Sequence, residues 1–267
     1  MLDLLQYSFF TNALFGIVII SVAAAFIGTY IITRRLVSIS GGVTHACFGG
    51  LGLGYYLGVN PIMMAAVFAI TASAGVEWMS ERYRVREDSA TAVVWALGMA
   101  IGVLFIFLTP GYVPELNAFL FGNILTISNS DLWAFAIYTV ILVAFFALFY
   151  NQIIACAFDR DFARVSQMPV KIISYLMTAM VAVCIVLTIR LVGIMLLMSM
   201  LTLPQMIAEM FAPRFKMMVL LSMIISIVCG VVGLFLSAAI NVPCAAIIVI
   251  LFAVLFVLGR IFLSIGR

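Results

Sequence analysis

The sequence has very little charge. Lysine, arginine, aspartate and glutamate make up 9% of its 267 residues, whereas hydrophobic residues make up 67% and the mean hydropathy is +1.33. A soluble domain needs far more charged surface, so this composition excludes that class and indicates a polytopic membrane protein. We therefore predict an all-α integral membrane protein in which residues 1–267 form a single transmembrane domain in the lipid bilayer. No nucleic-acid partner is expected.

The sequence also lacks motifs for a disulfide framework, a structural zinc site, a phosphate loop or an enzyme active site. The five cysteines have no CxxC spacing, which argues against a disulfide framework or a structural zinc site. Neither Lys171 nor Lys216 belongs to a GxxxxGK[ST] phosphate loop, so any ATP hydrolysis needs a separate chain. HExxH and a complete Ser/His/Asp set are missing, and we do not predict an enzyme. No predicted span has the central carboxylate that an ion-driven carrier usually needs.

Long uncharged or nearly uncharged runs occupy most of the chain. A transmembrane helix needs about 20 apolar residues, and the second and third runs are short enough to be tilted, buried or half-spanning segments. We therefore predict eight to nine transmembrane helices. The nine runs cover approximately residues 14–32, 43–57, 62–76, 90–108, 132–150, 172–189, 191–211, 217–236 and 244–258.

The basic residues give this topology an orientation. With nine crossings and an external amino terminus, twelve of the thirteen basic residues fall on one side, and only Arg190 lies opposite. Because lysine and arginine mark the inner side of a membrane, we predict that side to be the cytoplasm and the carboxyl terminus to be cytoplasmic. Arg190 would be an interfacial anchor or contact an acidic partner. The twelve are Arg34, Arg35, Arg82, Arg84, Arg86, Arg160, Arg164, Lys171, Arg214, Lys216, Arg260 and Arg267.

Turn residues collect on the predicted outer face. They occur at residues 60–61, 109–115, 128–131 and 241–243. Between two of these turns, the apolar segment LNAFLFGNIL at residues 116–125 is too short to span a membrane. We predict an interfacial or re-entrant helix there.

One charged segment, FDRDFARVSQMPVK at residues 158–171, interrupts the apolar sequence. Asp159 is a candidate N-cap, Pro169 is expected to end the helix, and Asp161 and Arg164 point away from the apolar side. We predict a short amphipathic helix of about two to three turns on the cytoplasmic side, although an ordinary solvated loop would also fit the pattern. Its apolar stripe would consist of Phe158, Phe162 and Val165.

Two residues within the spans are candidates for a transport pathway. His45 is the only histidine, and small residues at Gly41 and Gly49 flank it at helical spacing, which would let another helix approach or leave space for an ion. One imidazole is a poor metal site, and a packing histidine bonded to a carbonyl is the alternative. Pro204 should kink or interrupt the seventh run, which fits a gate and equally a structural kink.

Six blocks of sequence, in the same order along the chain, resemble the membrane subunit of the ABC-class importers of zinc, manganese and iron. One block contains the Ser/Thr-His dipeptide as Thr44 and His45, another is the charged segment, and a third contains Pro204. The family usually has an acidic residue where this chain has Gly41, and a glycine where it has Gln167. Asn123 also replaces a usual aspartate. The blocks cover residues 34–58, 87–102, 119–133, 158–169, 192–208 and 233–249.

The resemblance implies a function for the charged segment. Residues 156–171 correspond to the family's cytoplasmic coupling segment, with Asp159, Ala163, Arg164 and Pro169 matching. The expected partners are a cytoplasmic ATP-binding subunit, an extracellular or periplasmic metal-binding protein and a second copy of this chain. ATP would bind the partner, the metal ion would be the substrate, and no tightly bound cofactor is expected.

The resemblance further implies that His45, with Thr44 and Gly41 in its vicinity, lies on the metal route, and it places zinc ahead of manganese or iron. In a two-fold dimer, two copies of His45 would share one ion and replace the missing acid. The alternatives are an ion-coupled secondary transporter and an ABC permease for another small substrate.

Overall fold

The structure is a computed structural model that describes residues 6–110, 122, 124, 127–212 and 214–265. These residues form helices and connecting turns, and no strand occurs among them. The described helices are α1 Ser8–Thr33, α2 Val37–Leu57, α3 Pro61–Tyr83, α4 Glu87–Leu108, α5 Asn129–Phe158, α6 Arg160–Val165, α7 Val170–Phe211, α8 Phe215–Ile240 and α9 Cys244–Ile265.

Seven helices of the described chain are long and apolar enough to cross a membrane. They are α1, α3, α4, α5, α7, α8 and α9. The predicted eight to nine transmembrane helices are approximately consistent with this set, because α7 contains 42 residues and is broken within its length. At about 1.5 Å per residue, a straight helix of that size would be about twice as long as the hydrocarbon core is thick.

The break in α7 lies at Gly193, whose φ of 78° and ψ of 171° are not helical. This combination of angles is accessible almost exclusively to glycine. The predicted boundary between the sixth and seventh runs at Arg190 is therefore displaced, since the helix continues through Arg190 and breaks three residues later. Gly122 lies directly against the backbone of Gly193. Apart from Gly122 and the buried Ile124, the predicted re-entrant helix at residues 116–125 lies outside the described residues.

The chain divides into two compact units. The first contains residues 1–32, 116–144 and 188–267, and the second contains residues 33–115 and 145–187. The first unit thus contains most of α1, part of α5, the later part of α7, and helices α8 and α9. The second contains α2, α3, α4, α6 and the remaining parts of α5 and α7.

In the first unit, α1 is largely enclosed. Its small and aliphatic residues are buried along most of its length, and the ring of Phe10 packs edge-on against Phe235 of α8 at 5.2 Å. Gly230 of α8 lies against Ile17, and Gly233 lies against Ile248 of α9. Small residues thus bring α8 close to both α1 and α9.

In the second unit, α2 is buried between α3 and α4. A buried segment was one of the alternatives predicted for the short second run. A Cβ atom at Gly98 of α4 would lie 2.5 Å from the Cα atom of Ala46, so only glycine allows this approach of α4 to α2. Gly49 and Gly50 of α2 face α3 or α4 in the same way. At these glycines the structure shows the first of the two predicted alternatives, close approach of another helix, and that helix belongs to the same chain. A site for an ion or a second copy beside His45 stays a prediction.

Pro204 does not interrupt α7, contrary to one of the predicted outcomes. Proline has no N–H, so the carbonyl of Met200, four residues earlier, loses its helical donor. The side chain of Gln205 replaces that donor: its Nε2 donates to Met200 O at 3.0 Å and to Ala24 O of α1 at 2.8 Å. The helix continues because the neighbouring amide satisfies the carbonyl that the proline frees. A gating function of Pro204 stays a prediction.

We expect Gln205→Leu to destabilise the protein. The substitution keeps a side chain of similar size but leaves two buried carbonyls without this donor, at about 1–3 kcal/mol for each group. The measurement is the midpoint of thermal unfolding in detergent. The matched control is Thr202→Val, because the hydroxyl of Thr202 donates only to Met198 O within its own helix. Equal midpoints for the two variants would contradict the proposed compensation.

Candidate functional site

Helix α6 occupies the charged segment, and Asp159 caps its amino terminus. A carboxylate oxygen of Asp159 accepts hydrogen bonds from the backbone N–H groups of Asp161 at 3.0 Å and Phe162 at 2.9 Å. The predicted N-cap is confirmed. The helix contains six residues, Arg160–Val165, so the predicted length of two to three turns is too long.

The early end of α6 results from a turn at Gln167, which has a φ of 56°. The N–H of Gln167 donates to Arg164 O at 3.1 Å, and that of Met168 donates to Ala163 O at 3.0 Å. These two bonds define a Schellman motif, which favours glycine at the left-handed position. The predicted end at Pro169 is therefore wrong: the motif ends α6, and Pro169 directly precedes α7. The family glycine that Gln167 replaces would suit this left-handed position.

The outer face of α6 carries two of the three residues of the predicted apolar stripe, Phe162 and Val165, which are exposed by 60% and 81%. The third, Phe158, is exposed by 61% and is the last residue of α5. Asp161 and Arg164 form an exposed ion pair at 3.2 Å, which contributes little stability in water. Large apolar side chains surrounded by polar residues are typical of a protein-binding surface.

On the inner face of α6, Arg160 belongs to a largely buried cluster of charged side chains. The guanidinium of Arg160 donates to Glu77 of α3 at 2.5 Å, to Glu87 of α4 at 3.3 Å and to the hydroxyl of Ser174 on α7 at 2.7 Å. Glu87 also accepts from Arg34 at 3.1 Å. We call these five residues the Arg160 cluster.

The charges of the Arg160 cluster balance and are mostly shielded from solvent. It contains two arginines and two glutamates; the side chains of Glu77 and Arg34 are 2% and 6% exposed, and those of Glu87 and Arg160 are 19% and 22% exposed. Removing one partner from such a buried pair typically costs about 3–5 kcal/mol, because the remaining charge is uncompensated. The inner face of α6 is thus anchored, while its outer face is free to bind.

Sequence reasoning did not identify this cluster, because its members are distant in the chain. One signal was available: the charge distribution predicts that the loops containing Arg34, Arg86 and Arg160 lie on the same side of the membrane. The ion pairs of Arg34 and Arg160 with Glu87 agree with that grouping. The identity of that side as the cytoplasm stays a prediction.

Arg190 also has a partner within the chain. Its guanidinium forms an ion pair at 3.0 Å with Asp131, and the side chain of Asp131 is 13% exposed. Both residues were predicted on the outer side. The acidic contact expected for Arg190 therefore comes from the start of α5.

His45 lies half-buried on α2, and its ring stacks on Trp95 of α4 with centroids 4.6 Å apart and planes at 4°. Its Nδ1 atom is buried without a hydrogen-bond partner among the described residues. The carbonyl contact expected of a packing histidine is thus missing at Nδ1. Trp95 was not among the predicted site residues, because the sequence alone does not show which α4 residue faces His45.

The other predicted site residues supply no further ligand set. Thr44 is buried, and its hydroxyl donates to Ser40 O at 2.5 Å. Gly41 is also buried. No group of three or more His, Cys, Asp or Glu residues that could hold a metal occurs in the described parts of the chain. A metal route past His45 therefore stays a prediction.

The model of the ABC 3 transport family matches residues 6–263. The chain belongs to that family. An uncharacterized membrane protein of Synechocystis sp. is 35% identical to it over 98% of this chain and 93% of that protein. The manganese transport system membrane protein MntC of Listeria monocytogenes is 28% identical over 97% of this chain and 92% of that protein.

A solved structure, PsaBC from Streptococcus pneumoniae in complex with Fab, has a similar fold. Its TM-score is 0.84 at 26% identity, and the match covers 97% of this chain and 93% of that chain. The family membership and this match confirm the predicted resemblance, the all-α membrane fold and the assignment as a permease subunit, not an enzyme.

We expect Gln167→Gly to stabilise the end of α6. A side chain in the left-handed conformation costs about 1 kcal/mol relative to glycine, so the amide of Met168 should exchange about five times more slowly with solvent deuterium. Hydrogen–deuterium exchange of the purified protein tests this. Gln167→Ala is the control, because it shortens the side chain but keeps the strain, and equal exchange in both variants would contradict the explanation.

Proposed function

We propose that this chain is the membrane subunit of an ATP-driven importer of divalent transition-metal ions. The observation that carries the proposal is α6, a short helix anchored by the Arg160 cluster that exposes Phe162 and Val165, with the exposed Phe158 just before it at the end of α5. In a chain of a transport family, such an exposed apolar stripe next to a charged anchor fits a docking site for a separate subunit.

The docked subunit would be the cytoplasmic ATPase, because this chain has no phosphate loop of its own. Phe162 would fill a groove of that subunit, as buried aromatic anchors commonly do, and Arg164 would lie near an acidic rim. Asp159 and the Schellman motif at Gln167 hold the helix in shape before docking, which lowers the entropy that association must offset.

The proposed metal route passes His45. Within the described parts of the chain its Nδ1 atom has no hydrogen-bond partner, and the stack on Trp95 limits the rotation of the ring. In a two-fold dimer, a second His45 would complete a weak site. The second copy would approach by a face other than Gly49 and Gly50, because α3 and α4 cover those glycines. An external metal-binding protein would deliver the ion.

Ligand chemistry and the name of a relative favour different metals. An imidazole without a carboxylate suits zinc better than manganese, which prefers oxygen ligands. The name of MntC of Listeria monocytogenes, by contrast, supports manganese. We keep zinc first on ligand chemistry, with manganese and iron as the alternatives that uptake measurements separate.

The ion-coupled alternative finds no support in the buried carboxylates. Such a carrier needs an acid that can gain and lose a proton or bind sodium during transport. Glu77 is buried but paired with Arg160, and Glu87 is paired with Arg160 and Arg34. An ATP-driven permease needs no free intramembrane acid.

We expect Phe162→Ala to release the ATPase subunit. Loss of a central aromatic anchor commonly costs more than about 2 kcal/mol, which corresponds to about 30-fold weaker association. The measurement is copurification of the ATPase encoded beside this chain. Phe107→Ala is the control, because Phe107 is an even more exposed phenylalanine, at the end of α4 that was predicted to lie on the other side. Normal copurification and transport by Phe162→Ala would contradict the docking function.

We expect His45→Ala to abolish metal uptake without changing expression or dimerisation, because the ion loses its only imidazole ligand on this chain. Gly41→Asp, which restores the family's acid, should tighten binding or change the metal preference. Uptake of radiolabelled zinc and manganese, measured beside ATPase activity, tests both variants.

The control for this test is Cys47→Ser. Cys47 lies two residues from His45, but its thiol donates to Val43 O at 3.1 Å on its own helix. Uptake at the wild-type rate by His45→Ala would show that the ring only packs against Trp95 and that the ion follows another route.

A further inference from the structure

Helix α6 is too short to transmit movement by itself. Isolated helices of six residues are unstable in water, so α6 depends on its contacts with the rest of the second unit. Its outer face makes none of these contacts, since Phe162 and Val165 are exposed. The inward-facing contacts come from the buried Ala163 and from Arg160.

Arg160 joins α6 to three other helices through one planar group. Its guanidinium contacts Glu77 of α3, Glu87 of α4 and Ser174 of α7, at distances between 2.5 and 3.3 Å. The fixed geometry of a guanidinium allows several directed hydrogen bonds at once, which an ammonium group cannot reproduce. The relative positions of these four helix ends therefore depend on one side chain.

Partial burial weakens the effect of salt on this connection. The side chain of Glu77 is 2% exposed and that of Arg160 is 22% exposed, so solvent ions screen this pair less than a pair on the surface. Compared with apolar residues of similar size, a buried ion pair contributes little net stability, but it fixes geometry. The arrangement therefore suits the positioning of α6 better than the stabilisation of the fold.

A continuous series of contacts leads from Glu87 to His45. Glu87 is the first residue of α4, and α4 approaches α2 closely at Gly98 and Gly102. Backbone packing this close leaves little space for sliding, so α2 and α4 should move as one body. His45 of α2 in turn stacks on Trp95 of α4.

We propose that Arg160, through Glu77 and Glu87, couples the movement of α6 to the α2 and α4 pair that carries His45. The proposal rests on the proposed function, in which α6 docks on the ATPase. Arg160 is a positioning residue, because it contacts neither the metal ion nor the nucleotide. Movement of α6 during the ATPase cycle would reach His45 through the ion pairs and the glycine contacts.

The test uses Arg160→Lys in the complete importer, with its ATPase and metal-binding protein, reconstituted in liposomes. Lysine keeps the charge but cannot contact all three acceptors together. We expect the complex to assemble and hydrolyse ATP at rates close to wild type, with at least about fivefold more ATP consumed per metal ion transported. The control is Arg86→Lys, since Arg86 precedes Glu87 but pairs only with the exposed Asp88 at 3.8 Å.

A second variant, Glu77→Gln, tests the same connection from α3, because the amide keeps the shape but removes the charge. An increased ratio of ATP to metal in either assembled variant supports the proposal. Wild-type ratios in both overturn it. Failure of both variants to fold or assemble also overturns it, since the cluster would then only stabilise the fold.

The Phe162→Ala measurement separates this proposal from the proposed function. If Phe162→Ala retains the ATPase, α6 is not the docking helix and the proposed function fails. If Phe162→Ala releases the ATPase but Arg160→Lys transports with the wild-type ratio, the docking function stands and the coupling by Arg160 fails.

Discussion

The pairing of Arg160 with Glu77 and Glu87 is the interaction on which the arrangement of the second unit depends. Only 9% of the residues are charged, so a buried charge without a partner would be difficult to accommodate in this chain. The cluster solves this problem by balancing two arginines with two glutamates. Because its members come from separate segments, the balance is complete only when α3, α4 and α6 meet. When these helices meet, the inner face of α6 contacts α3 and α4, and the apolar stripe on its other face is exposed.

A second constraint, the need to satisfy every backbone polar group in a membrane, explains the two unusual positions of α7. At Pro204 the chain lacks a donor, and the adjacent Gln205 supplies one, so the helix continues. At Gly193 the backbone itself changes direction, with dihedral angles that other residues rarely adopt. A proline is thus compatible with an unbroken helix when a neighbouring side chain replaces the lost bond, whereas the glycine at position 193 breaks it.

The sequence predicted the fold class, the family and the N-cap of α6 correctly because each depends on local pattern. Apolar runs identify spans, and Asp159 is followed by the short helix that it caps. The sequence did not predict the Arg160 cluster or the stack of His45 on Trp95, since both depend on which helices pack together. It also allowed an interruption at Pro204, where the helix continues, and it placed the end of α6 at Pro169. In both cases hydrogen bonds from neighbouring residues decided the outcome, and residue preferences alone do not include them.

The surroundings of His45 suggest how a permease with one imidazole and no nearby acid could still serve transport. Trp95 holds the ring in place but offers no ligand, and the family's acidic position is the buried Gly41. An ion at this position would be bound weakly by each chain, even where two copies share it. Weak binding favours release, because an ion held by a closed set of four ligands must break several bonds before it leaves. In the proposed importer, tight and selective capture would be the task of the external protein, and the membrane subunit would need only to open and close the route at the right point of the ATPase cycle.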